Sequence, residues 1–351
     1  MATTRFRAPL AVISIAAAGV LLASCSVGGG SGVGGGAEPA EVDGPLAELY
    51  EAAKEEGTVI WYTSFIPDNI AQIEPAFEEQ FPGVDLQVLR LGGTEGPIRF
   101  SSEVKAGASS ADVLTTSEID FGDEAKAEGW TDDLSTFDLP TLADYPEEFV
   151  RGPLAVTQIA PIRATYNTDL VETAPTSWED LLDPAYADQL MLVDPSAILP
   201  WMGQYYVLKE EFGIEYLEKL AENGYRLVDS AVPASQSLSA GEGLAVFPSL
   251  DSVANPLIAE GAPVENAILD PYTGVENSSM ISSTAENPEA ARLFTSWLLS
   301  PEGQAAVNSG FAASPLEDIP ETETVDEGYV PLDAEAVEGA RDEILGALGI
   351  Q

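Results

Sequence analysis

Apolar and polar positions follow a repeating order along most of this chain. Leu46, Leu49, Tyr50 and Ala53 recur at helical spacing and Gly57 follows, which predicts a helix closed by a glycine. Thr58 to Thr63 (TVIWYT) is a short apolar run and reads as a buried strand. Ile70, Ile73 and Phe77 then share one helical face, ended by Pro82-Gly83. Val84, Leu86 and Val88 alternate as a second strand, and Gly92-Gly93-Thr94 makes the next loop. After a short helix, Ala111 to Thr116 (ADVLTT) gives a third strand. Helix, strand, helix, strand, helix, strand is the order of a mostly parallel sheet covered on both faces.

The middle of the chain repeats the theme less regularly. Gln189 to Val193 predicts a strand, followed by a loop through Pro195-Ser196 and a long helical region to about Asn223. Ser239 to Phe247 holds a helix end and another strand. Asn287-Pro288-Glu289 has the form of a helix start, with asparagine as the cap and proline in the first turn. Ala290, Leu293, Phe294 and Trp297 face inward from that helix. Val337, Ala340, Ile344 and Leu348 mark a final amphipathic helix.

The chain's start changes the picture of where it works. Arg5 and Arg7 precede an apolar run from Ala8 to Leu22. A membrane-spanning helix needs about 20 apolar residues, so the run fits a removable secretory signal better. It ends Leu22-Ala23-Ser24-Cys25, similar to a bacterial lipobox, in which the cysteine is lipidated and becomes the first residue. Residues 1–24 are therefore expected to be a signal peptide and 25–43 a lipidated, glycine-rich tether, too poor in side chains to build a core. Cys25 is the one cysteine, so no disulfide forms within the chain.

Charge narrows the partners. Lys and Arg number 14 against 59 Asp and Glu; removing the two arginines before Cys25 leaves 12 against 59, a formal charge of −47. Such a surface repels phosphate backbones, so nucleic acid is not expected as a partner. The acids are spread along the chain, as on a solvated folded surface, and not run together as in a tail. With no histidine at all, Ser-His-Asp and Cys-His catalysis and histidine-rich metal sites are excluded. No phosphate-cradling P-loop and no calcium loop is present. Two-carboxylate hydrolysis stays formally open, but among 59 acids some pair always exists, so it carries little information. We expect no catalytic residue, metal or cofactor.

Five stretches in order resemble one family. They are Ala111-Asp112-Val113; Tyr166 to Asp169 with Pro175 to Pro184 (PTSWEDLLDP); Ala240 to Gly243 (AGEG); Asn287 to Ala291 (NPEAA); and Ser300 to Gln304 (SPEGQ). Together they cover most of residues 58 to 315 and are similar to the extracellular solute-binding proteins of bacterial ABC importers, in the branch that takes ferric iron, thiamine and aminoethylphosphonate. The resemblance implies an α/β, two-lobe periplasmic-binding-protein-like (type II) fold, each lobe a mostly parallel sheet flanked by helices, joined by crossing strands. It places lobe 1 at 44–163 and 270–315, lobe 2 at 164–268, and a tail with a helix packing on lobe 2 at 316–351. Crossings are expected near Arg163–Thr165 and Ala267–Pro271. The implied partners are a small polar solute, an ABC permease with its ATPase, and the membrane through a lipid on Cys25.

In such sheets ligands sit beyond the carboxyl ends of the strands, at helix N-termini whose free N–H groups hold polar or anionic groups. That rule nominates Ser64, Phe65, Gly93, Thr94, Thr116 and Ser117 in lobe 1, and Ser196, Ser249, Asp251 and Ser252 in lobe 2. Trp201 is added as a stacking or core residue, and Arg163 as either an anion partner or a hinge salt bridge. Ferric binders of the branch use adjacent tyrosines in a loop where this chain reads Phe247 to Ser252 (FPSLDS). Tyr205-Tyr206 lie upstream in a helical stretch, where neighbours point about 100° apart and are expected to pack. Two alternatives stand beside the main reading: a ferric iron or iron-chelate receptor, and a surface-anchored carboxylate-dependent glycoside hydrolase.

Overall fold

The computed structural model describes Gly44, residues 46–310 and residues 312–350. The signal peptide, Cys25 and the glycine-rich tether lie outside the described residues. In chain order the first part holds α1 (Leu46–Glu56), β1 (Thr58–Thr63), α2 (Pro67–Gln80), β2 (Asp85–Arg90), α3 (Glu95–Ala106), β3 (Val113–Thr116), α4 (Phe121–Ala127), β4 (Val150–Arg151) and β5 (Leu154–Asn167). The middle holds β6 (Leu190–Val193), α5 (Leu199–Phe212), α6 (Ile214–Asn223), β7 (Tyr225–Val228), α7 (Ala231–Ser239), β8 (Ala245–Leu250), α8 (Asp251–Ala259) and β9 (Val264–Ala267). The last part holds β10 (Gly274–Ile281), α9 (Pro288–Leu298), α10 (Pro301–Asn308), β11 (Ala313–Ser314), β12 (Glu323–Thr324), α11 (Ala334–Gly339) and α12 (Arg341–Leu348).

The strand order β2-β1-β3-β10-β5-β8-β6-β7 divides at β5. On one side β1 is parallel to β2 and β3, with Thr58 opposite Asp85 and Trp61 opposite Val113. On the other β6 is parallel to β7 and β8. β10 and β8 both run antiparallel to β5, the first along its beginning (Ala155 to Pro161) and the second along its end (Ile162 to Tyr166). One 14-residue strand thus belongs to both sheets, and the fold is two α/β lobes of the type II periplasmic-binding-protein kind.

Each lobe has its own apolar centre. Lobe 1 stacks Trp61, Phe77, Phe294 and Trp297, all essentially buried, with Phe77 edge-on to Phe294 at 5.0 Å. Aromatic rings bury about 150–250 Å² each, so this cluster dominates the lobe's stability. Lobe 2 gathers Trp178, Tyr205, Tyr216, Leu217 and Phe247. The last two helices lay Val337, Ala340, Ile344 and Leu348 into that same centre.

Three local readings change. The helical stretch ending near Asn223 is two helices, because Gly213 adopts φ 79°, ψ 164° and turns the chain between α5 and α6. The final amphipathic helix is likewise two short ones, parted at Ala340. Asn287 precedes α9 but does not cap it: its backbone N–H and Nδ2 donate to Asp112. The free N–H groups of Glu289 and Ala290 bond instead to the Glu56 carboxylate at the end of α1 (3.2 and 2.8 Å), a long-range cap invisible to a local motif.

Candidate functional site

The carboxyl ends of β2 and β3 in lobe 1 and of β6 in lobe 2 point into one cavity of about 240 Å³. Lobe 1 supplies Thr94 and the loop Ser117 to Asp120. Lobe 2 supplies Ala197 to Pro200, at the start of α5. Gly274 to Glu276 of β10 and Leu332 complete the walls. Thr116 holds the two lobe 1 loops together: its Oγ1 donates to the Gly93 carbonyl (3.2 Å) and accepts from the Glu118 N–H (3.1 Å). Gly93 lets the two loops approach closely: a Cβ there would fall 2.5 Å from Ser117 Oγ, and the serine hydroxyl would have to turn away.

The cavity's charge is one-sided. Glu118 and Asp120 line it, and neither forms an ion pair among the described residues; Glu118 accepts only a long bond from Thr94 Oγ1, at 3.4 Å. Glu276 is different. It is buried on β10, and Arg151 of β4 and the Tyr329 hydroxyl both donate to its carboxylate. Burial, followed by the neighbouring Glu276 charge, pushes the Tyr329 phenol well above its ordinary range, so it stays a donor.

The twelve nominated side chains separate into groups. Thr94 and Ser117 line the cavity, and Ser196, exposed, precedes its Ala197 wall with its N–H bonded to Asp194 (2.7 Å). Thr116 and Gly93 brace it from behind. Ser64 lies elsewhere on the lobe 1 side, donating to Asn277 (2.8 Å) in a chain that continues through Gln158 and Asn69 to the Val307 carbonyl. Phe65 is core, edge-on to Trp61 at 5.6 Å. Trp201 is core as well, packed with Ile162, Met191 and Val246.

Arg163, Ser249 and Asp251 form a second group around the crossing strand. Arg163 is 2 % exposed and donates to Asp251 (3.1 Å) and to Glu323. Its guanidinium lies 5.6 Å from the Tyr272 ring centre. Asp251 also accepts from Asn266 (2.6 Å), and the Thr165 hydroxyl donates to the Asn266 side-chain carbonyl while accepting from the Ser249 hydroxyl. Arg163 is thus salt-bridged to two carboxylates of its own chain. Asp251 and Glu323 border a separate cavity of about 210 Å³, lined also by Asn255, Gly310, Ala312 and Glu321. Ser252 is exposed in the first turn of α8. Tyr205 is buried in the lobe 2 centre, and Tyr206 packs against it. Sequence reasoning missed Glu118 to Asp120, Ala197 to Pro200, Glu276 and Leu332. The first two runs adjoin nominated serines; nothing local marks the others.

Two lobes sharing crossing strands, with a walled space between them, define a two-lobe binding protein. Comparison with known proteins agrees. Residues 62–305 match the model of one family, and the chain belongs to it: bacterial extracellular solute-binding protein. The chain is 29% identical over 141 residues to an uncharacterized protein of Haemophilus influenzae, a match spanning 38% of this chain and 40% of that protein. Among solved structures, the substrate-binding protein of an ABC transporter from Agrobacterium tumefaciens is similar, with TM-score 0.65 and 16% identity over 83% of this chain and 94% of that one. Iron-bound HitA from Pseudomonas aeruginosa gives TM-score 0.63 and 19% identity, over 83% and 98%.

Proposed function

We propose that this protein is the solute-receiving subunit of an ABC importer, exported and held at the outer face of the cell membrane by a lipid on Cys25. The observation that carries the reading is the cavity walled by Thr94 and Ser117 from lobe 1 and by Ala197 to Pro200 from lobe 2. A solute touching both walls is bound more tightly when the lobes approach, so it shifts the population toward the closed form. The closed form is what a permease and its ATPase would receive. Binding and release suffice, and no covalent step enters. Lobe 1 would comprise 44–163 and 270–315 and lobe 2 164–268, bending near Arg163–Thr165 and Ala267–Pro271.

The walls also favour one solute chemistry. Threonine and serine hydroxyls and two carboxylates with no cation among the described residues face aliphatic Ile119, Ile198, Leu199 and Val275. An anion would meet only like charge there. At α3 the Glu95 carboxylate already accepts the Gly92 N–H (3.3 Å), and α8 opens with Asp251, so both helix N-termini carry their own acids. The support is therefore for a small polar organic solute, neutral or cationic, and against the anion that helix N-termini alone suggest. A thermal-shift panel of spermidine, thiamine, 2-aminoethylphosphonate and ferric citrate tests this. At a hundredfold excess over Kd a true solute adds about 2.7 kcal/mol to folded stability. Spermidine or thiamine is expected to raise Tm. A response to 2-aminoethylphosphonate or ferric citrate alone would overturn the solute class, and turnover of a chromogenic glycoside would overturn the receptor reading.

A further inference from the structure

The segment from Leu170 to Tyr186, with Leu244, walls a groove of about 760 Å³ that the interlobe cavity does not use. That is room for a small organic ligand. The groove sits at the starts of β6 and β8, where Leu190 is opposite Ala245, whereas the interlobe cavity lies beyond the other end of β6. Its wall is fixed in place: Ser177 and Asp180 form a capping box, and Trp178 is buried in the lobe 2 centre.

Acids alone do not mark this groove, since the chain carries 59 of them. Tyr186 does. It is 7 % exposed and packed into the lobe 2 centre, and its hydroxyl has no hydrogen-bond partner among the described residues. Neighbouring tyrosines of that centre each have one: Tyr166 donates to Glu265, Tyr205 to the Val193 carbonyl and Tyr216 to the Trp178 carbonyl. A buried phenol ordinarily finds a partner, and the open side of Tyr186 is the groove. Burial, followed by the charges of Asp180 and Asp183, raises the phenol above its ordinary range, so it stays protonated at neutral pH.

The surrounding carboxylates divide by partnering. Asp180 accepts from the Thr176 N–H (2.8 Å), the Thr176 hydroxyl (3.0 Å) and the Ser177 N–H (3.0 Å), and Asp183 accepts from the Ala185 N–H (2.8 Å). Glu172 and Glu179 are exposed and have no partner among the described residues, and no lysine or arginine lines the groove. Leu170, Pro175, Leu182 and Leu244 add apolar surface. We propose that this groove is a second ligand site, taking a small organic cation with an apolar body. Glu172 and Glu179 meet its charge, and one of its N–H groups donates to the Tyr186 hydroxyl. Every wall belongs to lobe 2, so the site does not depend on closure or on the solute-receptor reading.

2-Phenylethylammonium and 3-phenylpropionate share an apolar body and differ in charge, and isothermal titration of each into the full chain is the test. The ammonium is expected to bind and the carboxylate not to. Tyr186→Phe removes no bond of the fold, and Glu172→Gln with Glu179→Gln alters only exposed side chains, so both variants are expected to fold. Each is expected to weaken the ammonium by about tenfold, the loss of a hydrogen bond to a charged group. Ser117→Trp, which fills the interlobe cavity, is expected to leave that affinity unchanged. Equal affinity for the two probes, no saturable heat at millimolar ammonium, or an affinity that neither variant alters would overturn the site. So would loss of binding in Ser117→Trp, which would move the ammonium to the interlobe cavity.

Discussion

Two cavities along the lobe boundary handle charge in opposite ways. Beside α8, Asp251 and Glu323 are satisfied from within: Arg163 sits between them, and Asn266 takes the remaining Asp251 oxygen. At the mouth of β2, β3 and β6, Glu118 and Asp120 have no cation among the described residues, while Glu276 on the same wall has Arg151 and Tyr329. Polar groups that complete one another brace a structure; polar groups left facing a space await something else. Residue type does not separate the two, since both are lined by acids and hydroxyls. Partnering does.

The largest expected effect lies on the braced side. Arg163→Ala leaves Asp251 and Glu323 facing each other without their cation. Breaking a buried pair costs about 3–5 kcal/mol, and because Glu323 is 52 % exposed and water can replace part of the contact, roughly 2–3 kcal/mol is expected. Urea unfolding would show it; a loss below roughly 0.5 kcal/mol would mean that the pairs brace nothing.

Next is a pH dependence of the hinge. Burial pushes the Tyr272 phenol up to about 12 and Tyr329 well above its ordinary range. A raised folded-state pKa means that the unfolded chain releases its proton first as pH climbs. Stability is therefore full below about pH 10 and falls above it, by about 1.4 kcal/mol per pH unit for each such phenol. Tyr329→Phe should remove one phenol from that slope between pH 10 and 12, at a neutral-pH cost of about 1.5 kcal/mol for the lost bond to Glu276. An unaltered slope would show that Tyr329 is not held protonated.

The smallest effect on stability belongs to the solute side. Ser117→Trp, on a half-buried loop at the cavity wall beside Gly93, should cost about 1 kcal/mol of folded stability through crowding yet abolish any solute-induced rise in Tm. Retained response would move the solute out of this cavity.

Much of the fold is legible along the chain because its strands are short apolar runs buried on both faces. β1, with Trp61 and Tyr62, and β6, with Leu190 to Val193, announce themselves without neighbours. The loops at the carboxyl ends of β2 and β3 follow in the same way, which is why Thr94 and Ser117 could be nominated. Glu276 and Leu332 could not. Glu276 sits in a strand reading GVENSSMI, whose polarity resembles a loop; its place in the sheet depends on β3 and β5 on either side. Leu332 reaches the cavity only because residues 316–333 double back along the return crossing, a path set by Tyr329 and Tyr272 and by no local pattern. Phe65 and Trp201 show the reverse difficulty. Each stands in a strand-end or helix-start position, yet an aromatic ring there gains more from its lobe's centre than from water.

The central claim is that a solute draws the two lobes together around the space between Ser117 and Leu199. The most direct measurement is the Glu79–Glu218 interlobe distance in the full chain, taken before and after adding the solute that copurifies with the protein and is identified by mass spectrometry. A shorter, narrower distance distribution at saturation, absent in Ser117→Trp, is the predicted result. Tight binding that leaves the distance unchanged, or closure that survives Ser117→Trp, would contradict the account.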